Sequence, residues 1–81
     1  MSPNQHLIEQ LSENAQHLPD YAPWTTTIGA AIDATHARAD AGLLNLDRTA
    51  FSRAIGGLTF WGFKHEMTIS EARKRAREQA G

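Results

Sequence analysis

The sequence predicts an all-α fold, a compact bundle of three to four short helices. Three observations carry that expectation. Apolar residues recur at helical spacing in successive segments, prolines and glycines fall between those segments, and capping residues stand where the segments begin. A chain of 81 residues has room for one small core, so residues 1–81 are expected to form a single helical domain.

The first helix is expected over 3–18. Ser2 can cap it, and Pro3 suits the first turn, where its missing N–H is not needed. Leu7, Ile8, Leu11, Ala15 and Leu18 make one apolar stripe. Pro19 closes the segment, because the residue before a proline avoids the α region. Residues 19–25 (PDYAPWT) read as a loop whose Tyr21 and Trp24 tuck back onto the helices. The second helix starts near Thr26 or Thr27 and runs to Ala41, with Gly42 as its stop. Ile28, Ala31, Ile32, Thr35 and Ala39 share one face, and Ala30, Ala34, Ala37 and Ala41 populate the other side. Small residues all round allow neighbours to approach closely, which predicts that this helix is the central one.

Asp47 caps a third helix over 48–55, with Ala50, Phe51, Ala54 and Ile55 facing inward and the pair Gly56-Gly57 ending it. Residues 58–67 carry no single prediction. Their LTFWGF run is compatible with an extended stretch or with a short helical turn, and a lone strand would have no obvious partner. The fourth helix, over 69–79, is the best marked. Thr68 and Glu71 stand at capping-box spacing, in which each side chain satisfies an otherwise orphaned backbone donor. Its apolar content is thin (Ile69, Ala72, Ala76, Ala80), and the remainder is dominated by Arg73, Lys74, Arg75 and Arg77.

Composition removes several function classes. There is no cysteine, hence no disulfide, thiolate nucleophile, zinc ribbon or iron–sulfur cluster, as suits a reducing compartment. No apolar run is long enough to span a bilayer, and residues 1–10 lack the basic-then-apolar order of a secretory signal; a cytoplasmic protein without a membrane role is expected. Arginine outnumbers lysine and alanine is abundant, a composition of GC-rich bacterial or phage genomes. The net charge of −1 hides a polarity. Residues 1–47 hold six acids and one base (−5), while residues 48–81 hold seven bases and three acids (+4). Such asymmetry marks either a charged partner or two halves that attract each other in the fold.

His6, Glu9, Glu13 and His17 share a helical face, but metal sites in bundles draw their ligands from several facing helices, so this row reads as a solvated face. His36 and His65 are isolated, and neither stands beside a nucleophile; Ser52 and Ser70 fit ordinary helix positions. The glycines do not have phosphate-loop spacing. No catalytic residue, metal or cofactor is therefore expected, and the chain is read as a non-enzyme.

Two features remain. Phe60, Trp61 and Phe63 fall within four residues and cannot all point inward from one helix or strand. If the segment is helical, Phe60 and Phe63 share a face and Trp61 turns toward the rim, where a Trp beside arginines has the composition of a binding hot spot. The basic last helix adds Arg73, Lys74 and Arg77. The expected function is a small protein-binding module (an adaptor, inhibitor or regulatory protein) whose contact residues are Phe60, Trp61, Phe63, Arg73, Lys74 and Arg77. Its partner is another protein, and the alanine faces of the second helix predict a homodimer as well. The alternative is a nucleic-acid-binding regulator using Arg73, Lys74, Arg75 and Arg77. It is less favoured because the pI is about 6.4 and the spacer after residue 55 is too long for a helix-turn-helix.

Overall fold

Four helices form around the predicted stripes: α1 (Pro3–Ala15), α2 (Ile28–Asp40), α3 (Arg48–Phe60) and α4 (Ile69–Ala80). The computed structural model describes residues 3–80; the proposed Ser2 cap lies outside them. The described residues contain no strand, and the fold is all-helical as expected, with 65% of those residues in helix. No helix among them is long and apolar enough to cross a membrane.

The core is one cluster. Leu7, Ile8, Leu11 and Ala15 of α1 meet Ile28 and Ala31 of α2, Leu58 of α3, Phe63, and Ile69, Ala72 and Ala76 of α4. The central helix is α1, not the alanine-rich α2: it packs against all three others. The reason is side-chain size. Ile8 and Leu11 are fully buried and large enough to reach several neighbours, whereas beyond Ile28 the buried residues of α2 are the smaller Ala31, Ala34 and Thr35. The helix α1 also stops three residues earlier than the stripe suggested. At Leu18 the amide donates to the Ala15 carbonyl at 3.0 Å, a tightened last turn before Pro19.

The largest departure is in α3, which runs through Gly56-Gly57 to Phe60. Two interior glycines cost a helix about 0.8–1 kcal/mol each relative to alanine. That cost is offset one turn later. Leu58 continues the inner row of Phe51 and Ile55 and is fully buried, which contributes about 1.5–3 kcal/mol. The real stop is Gly62, at φ 87°. Phe63 N–H donates to Leu58 O at 2.9 Å and Gly62 N–H to Thr59 O at 3.1 Å. These are the two bonds of a Schellman cap, and its usual apolar contact is supplied by the buried pair Leu58 and Phe63. The end of α2 repeats the pattern with Gly42 at φ 75°, Leu43 N–H on Arg38 O at 2.9 Å and Gly42 N–H on Ala39 O at 3.1 Å.

The helix starts of α2 and α4 are tied to each other. Thr27 and Thr68 form an isolated antiparallel bridge. Across it, Ile28 N–H donates to Met67 O (2.8 Å) and Ile69 N–H to Thr26 O (2.9 Å). The next amides follow suit, Gly29 to His65 O (2.9 Å) and Ser70 to Pro23 O (2.8 Å). The third amide of each helix goes to its own cap, Ala30 to Thr27 Oγ1 (3.1 Å) and Glu71 to Thr68 Oγ1 (3.2 Å). Donors that a helix start normally leaves to water are thus satisfied by the opposite loop. The predicted capping box is half formed: Glu71 N–H donates to Thr68 Oγ1, while the Glu71 carboxylate accepts from the Thr68 hydroxyl at 3.1 Å rather than from its backbone N–H.

Candidate interaction surface

A Schellman stop at Gly62 determines where the aromatic run goes. Phe63, on the far side of the left-handed glycine, turns into the core and is fully buried. Phe60 and Trp61, on the near side, stay outside at 82% and 57% exposure. Helical phasing alone had put Phe60 and Phe63 on one face. The cap separates them, and Phe60 is the most exposed of the three. The two outer rings meet edge to face, 5.6 Å between centroids and 86° between planes. Behind them the backbone is braced: Gln79 Nε2 donates to Trp61 O at 3.1 Å, and Asn4 donates to Gln79 Oε1 at 3.5 Å. Pro3, Asn4, Trp61 and Gln79 line a shallow depression of about 250 Å³ at this end of the bundle.

The pair stands at the end of a long open face. Leu58 is the one buried residue of α3. One outer row is Thr49, Arg53, Gly56 and Phe60; the next is Ala50, Ala54, Gly57 and Trp61. A methyl group placed on Gly56 or Gly57 would meet nothing within 4 Å, so packing within the chain does not require either glycine. The result is a floor of small residues interrupted by Arg53 and bounded at its C-terminal end by two aromatics. Along α3 there is no acid, and its two cations differ: Arg48 pairs with Asp40 and contacts His36 Nδ1 at 3.4 Å, while Arg53 is exposed with no ion pair among the described residues.

The basic helix is partly spent on the fold. Arg73 makes a two-pronged pair with Glu9 (2.9 and 3.0 Å) and donates to Ser12 Oγ at 2.8 Å. Its hydrogen bonds to that carboxylate raise the guanidinium above its ordinary value. Sign follows directly: the stabilising charge is present throughout the neutral range and is lost only as pH climbs through the raised value. Arg75 donates to Gly62 O at 3.2 Å and so holds the Schellman turn from outside. Lys74 and Arg77 are exposed. Of the six residues expected to bind a partner, the structure brings Phe60 and Trp61 together, leaves Lys74 and Arg77 open on α4, ties Arg73 to α1 and buries Phe63. Sequence reasoning missed Arg53, Gly56 and Gly57 as neighbours of Phe60; their 53/56/60 spacing became a signal only once the helix was known to continue past residue 55.

His6, Glu9, Glu13 and His17 are all exposed, and Glu9 is the member engaged by Arg73. The described residues hold no group of three or more His, Asp or Glu side chains placed to bind a metal ion. A second cleft, about 300 Å³, lies between α1, α2 and the 42–47 connector, with Leu11, Leu44 and Phe51 at its apolar side and Glu13, His17 and Arg38 among its polar groups. Arg38 Nε is buried there without a hydrogen-bond partner among the described residues. Comparison with protein-family models, with curated proteins and with solved structures found no match to this chain.

Proposed function

We propose that this chain is a small non-enzymatic protein-binding module, an adaptor, inhibitor or regulatory protein, that engages another protein through the Phe60–Trp61 end of α3. The observation behind this reading is the exposed aromatic pair, packed edge to face, on a helix that buries one residue of its own. Together the two residues offer roughly 300 Å² of surface, about the size of the largest apolar patch on a typical monomer, which is often functional. Aromatic anchors of this kind supply most of the energy in protein interfaces. The open cations Arg53, Lys74 and Arg77 suit the rim of such a contact. A cytoplasmic site of action in a bacterium or phage accords with the cysteine-free, arginine- and alanine-rich composition.

A photo-crosslinking amino acid placed at position 60, with exposed Gln16 as the control position, tests the reading in cells. A discrete protein adduct at position 60 that survives nuclease and is lost in Trp61→Ala is expected. Adducts equal at both positions, or nucleic acid released steeply by salt, would overturn it in favour of non-specific contact or phosphate binding. Folding is checked in parallel. Phe60→Ala and Trp61→Ala are expected to stay within about 1 kcal/mol of the parent, whereas Phe63→Ala is expected to cost about 3–5 kcal/mol and unfold the chain.

A further inference from the structure

Within the reading above, on which this inference rests, the geometry of α3 points to one kind of occupant. We infer that the partner presents an acidic amphipathic helix, which lies along the outer face of α3, crosses it at Gly56-Gly57 and abuts Phe60 and Trp61. Three features of that face select it.

The first is the pair of glycines. They weaken the helix they sit in, and a methyl group at either would touch nothing in the chain. A face without Cβ atoms at its middle lets another backbone approach more closely than side chains otherwise permit, as at helix crossings. Ala50 and Ala54 extend the floor on the N-terminal side. The second is shape. α3 has 13 residues and is about 20 Å long. Its exposed rows run along the axis and end against two rings, a footprint of the length and width of the apolar stripe of a helix laid alongside. A flat extended segment would leave its backbone donors unpaired here, because α3 presents no strand edge.

Charge is the third feature. α3 has no acid, and the cation in its outer row, Arg53, stands one turn before Gly56 and two before Phe60. Beyond the helix Lys64 and Arg75 stand beside Glu66 and Glu71 and balance them, so the excess charge of this face is that of Arg53. A second copy that set α3 against α3 would place Arg53 among cations of its own kind. An acidic helix meets the same face with opposite charge, which steers encounter and sets orientation.

The experiment uses the full chain and a display library of helix-constrained peptides randomised at every surface position, selected at moderate salt. Enriched sequences are expected to carry apolar residues at i, i+3, i+4 and i+7 with glutamate or aspartate on the flanks. Affinity for the selected peptides is expected to fall about thirtyfold in Phe60→Ala. In Gly56→Ala and Gly57→Ala, which remain folded, it should fall about tenfold or more, because the added methyl intrudes on the crossing. Arg53→Glu is expected to weaken binding and to flatten its salt dependence. Enrichment of basic or unpatterned sequences, or equal affinity for the glycine variants, would overturn the acidic helix while the loss in Phe60→Ala upholds the aromatic contact. Undiminished binding to both Phe60→Ala and Trp61→Ala, or a selection that enriches nothing, would overturn both. Self-association by sedimentation, abolished by Phe60→Ala, would replace the helix by a second copy.

Discussion

Replacing Gly56 and Gly57 together by alanine should make the protein more stable. Helix interiors favour alanine over glycine by about 0.8–1 kcal/mol per site, partly because alanine narrows the unfolded ensemble. Neither φ lies in the left-handed region, and a Cβ at either position meets no atom within 4 Å, so no strain or clash subtracts from the gain. Taken as a sum of two helix-interior sites, the gain is about 1.6–2 kcal/mol. In a domain of this size each kcal/mol moves the midpoint by about 4–8 °C, which gives a rise of roughly 6–16 °C. Thermal melting followed by far-UV circular dichroism reads it, and urea unfolding gives the free energy independently. Because α3 buries only Leu58, it can open ahead of the rest. Amide exchange covers that case: protection of residues 52–60 should rise about fifteen- to thirtyfold. If neither midpoint nor protection rises, α3 does not continue through the glycines as a helix with an open face, and the argument from their cost fails.

Thr27→Ala and Thr68→Ala should each cost about 1 kcal/mol, the usual loss of a cap, and the double variant should depart from additivity because the two caps sit on one bridge; chemical unfolding of the four-member cycle measures the coupling, and strict additivity would refute the idea of a shared clamp. Arg38→Met keeps the apolar stem while removing the unpartnered Nε, so stability should hold or rise by up to about 1 kcal/mol, and a loss larger than that would show that the guanidinium is satisfied in the folded protein.

Much of the fold was legible because its signals are local. The stripe Leu7–Ile8–Leu11–Ala15, the Asp47 and Thr68 caps and the Gly42 stop each act within a turn or two of chain, and each stands where it was expected. What stayed hidden depends on partners far apart in sequence. The mutual capping of α2 and α4 joins loops about 40 residues apart, and no short-range pattern announces it. The same holds for Arg73 with Glu9, 64 residues apart. The misplaced end of α3 has a different cause. Both Gly57 and Gly62 are followed by an apolar residue, so two stops compete on local grounds. Tertiary packing decides between them: stopping at Gly62 buries Leu58 and Phe63 together, while an earlier stop would forfeit the third member of the Phe51–Ile55–Leu58 row. The identity of the exposed aromatics follows from that choice, which is why helical phasing from sequence puts Phe60 on one face with Phe63.

The charge polarity of the chain resolves in the same way, partly within the fold and partly outside it. Both ion pairs among the described residues, Glu9 with Arg73 and Asp40 with Arg48, join the acidic half to the basic half. Exposed pairs of this kind contribute at most about 1 kcal/mol each, so they guide how the halves meet more than they hold them. The cations they leave over include Arg53, in the row that contains Gly56 and ends at Phe60. Four properties that monomer stability would discard therefore fall on one face of one helix: two interior glycines, two exposed rings, an unpaired cation and a floor that buries nothing. Each alone is common on protein surfaces. Their coincidence on α3, the helix least buried in its own core, is the basis on which the partner surface is proposed.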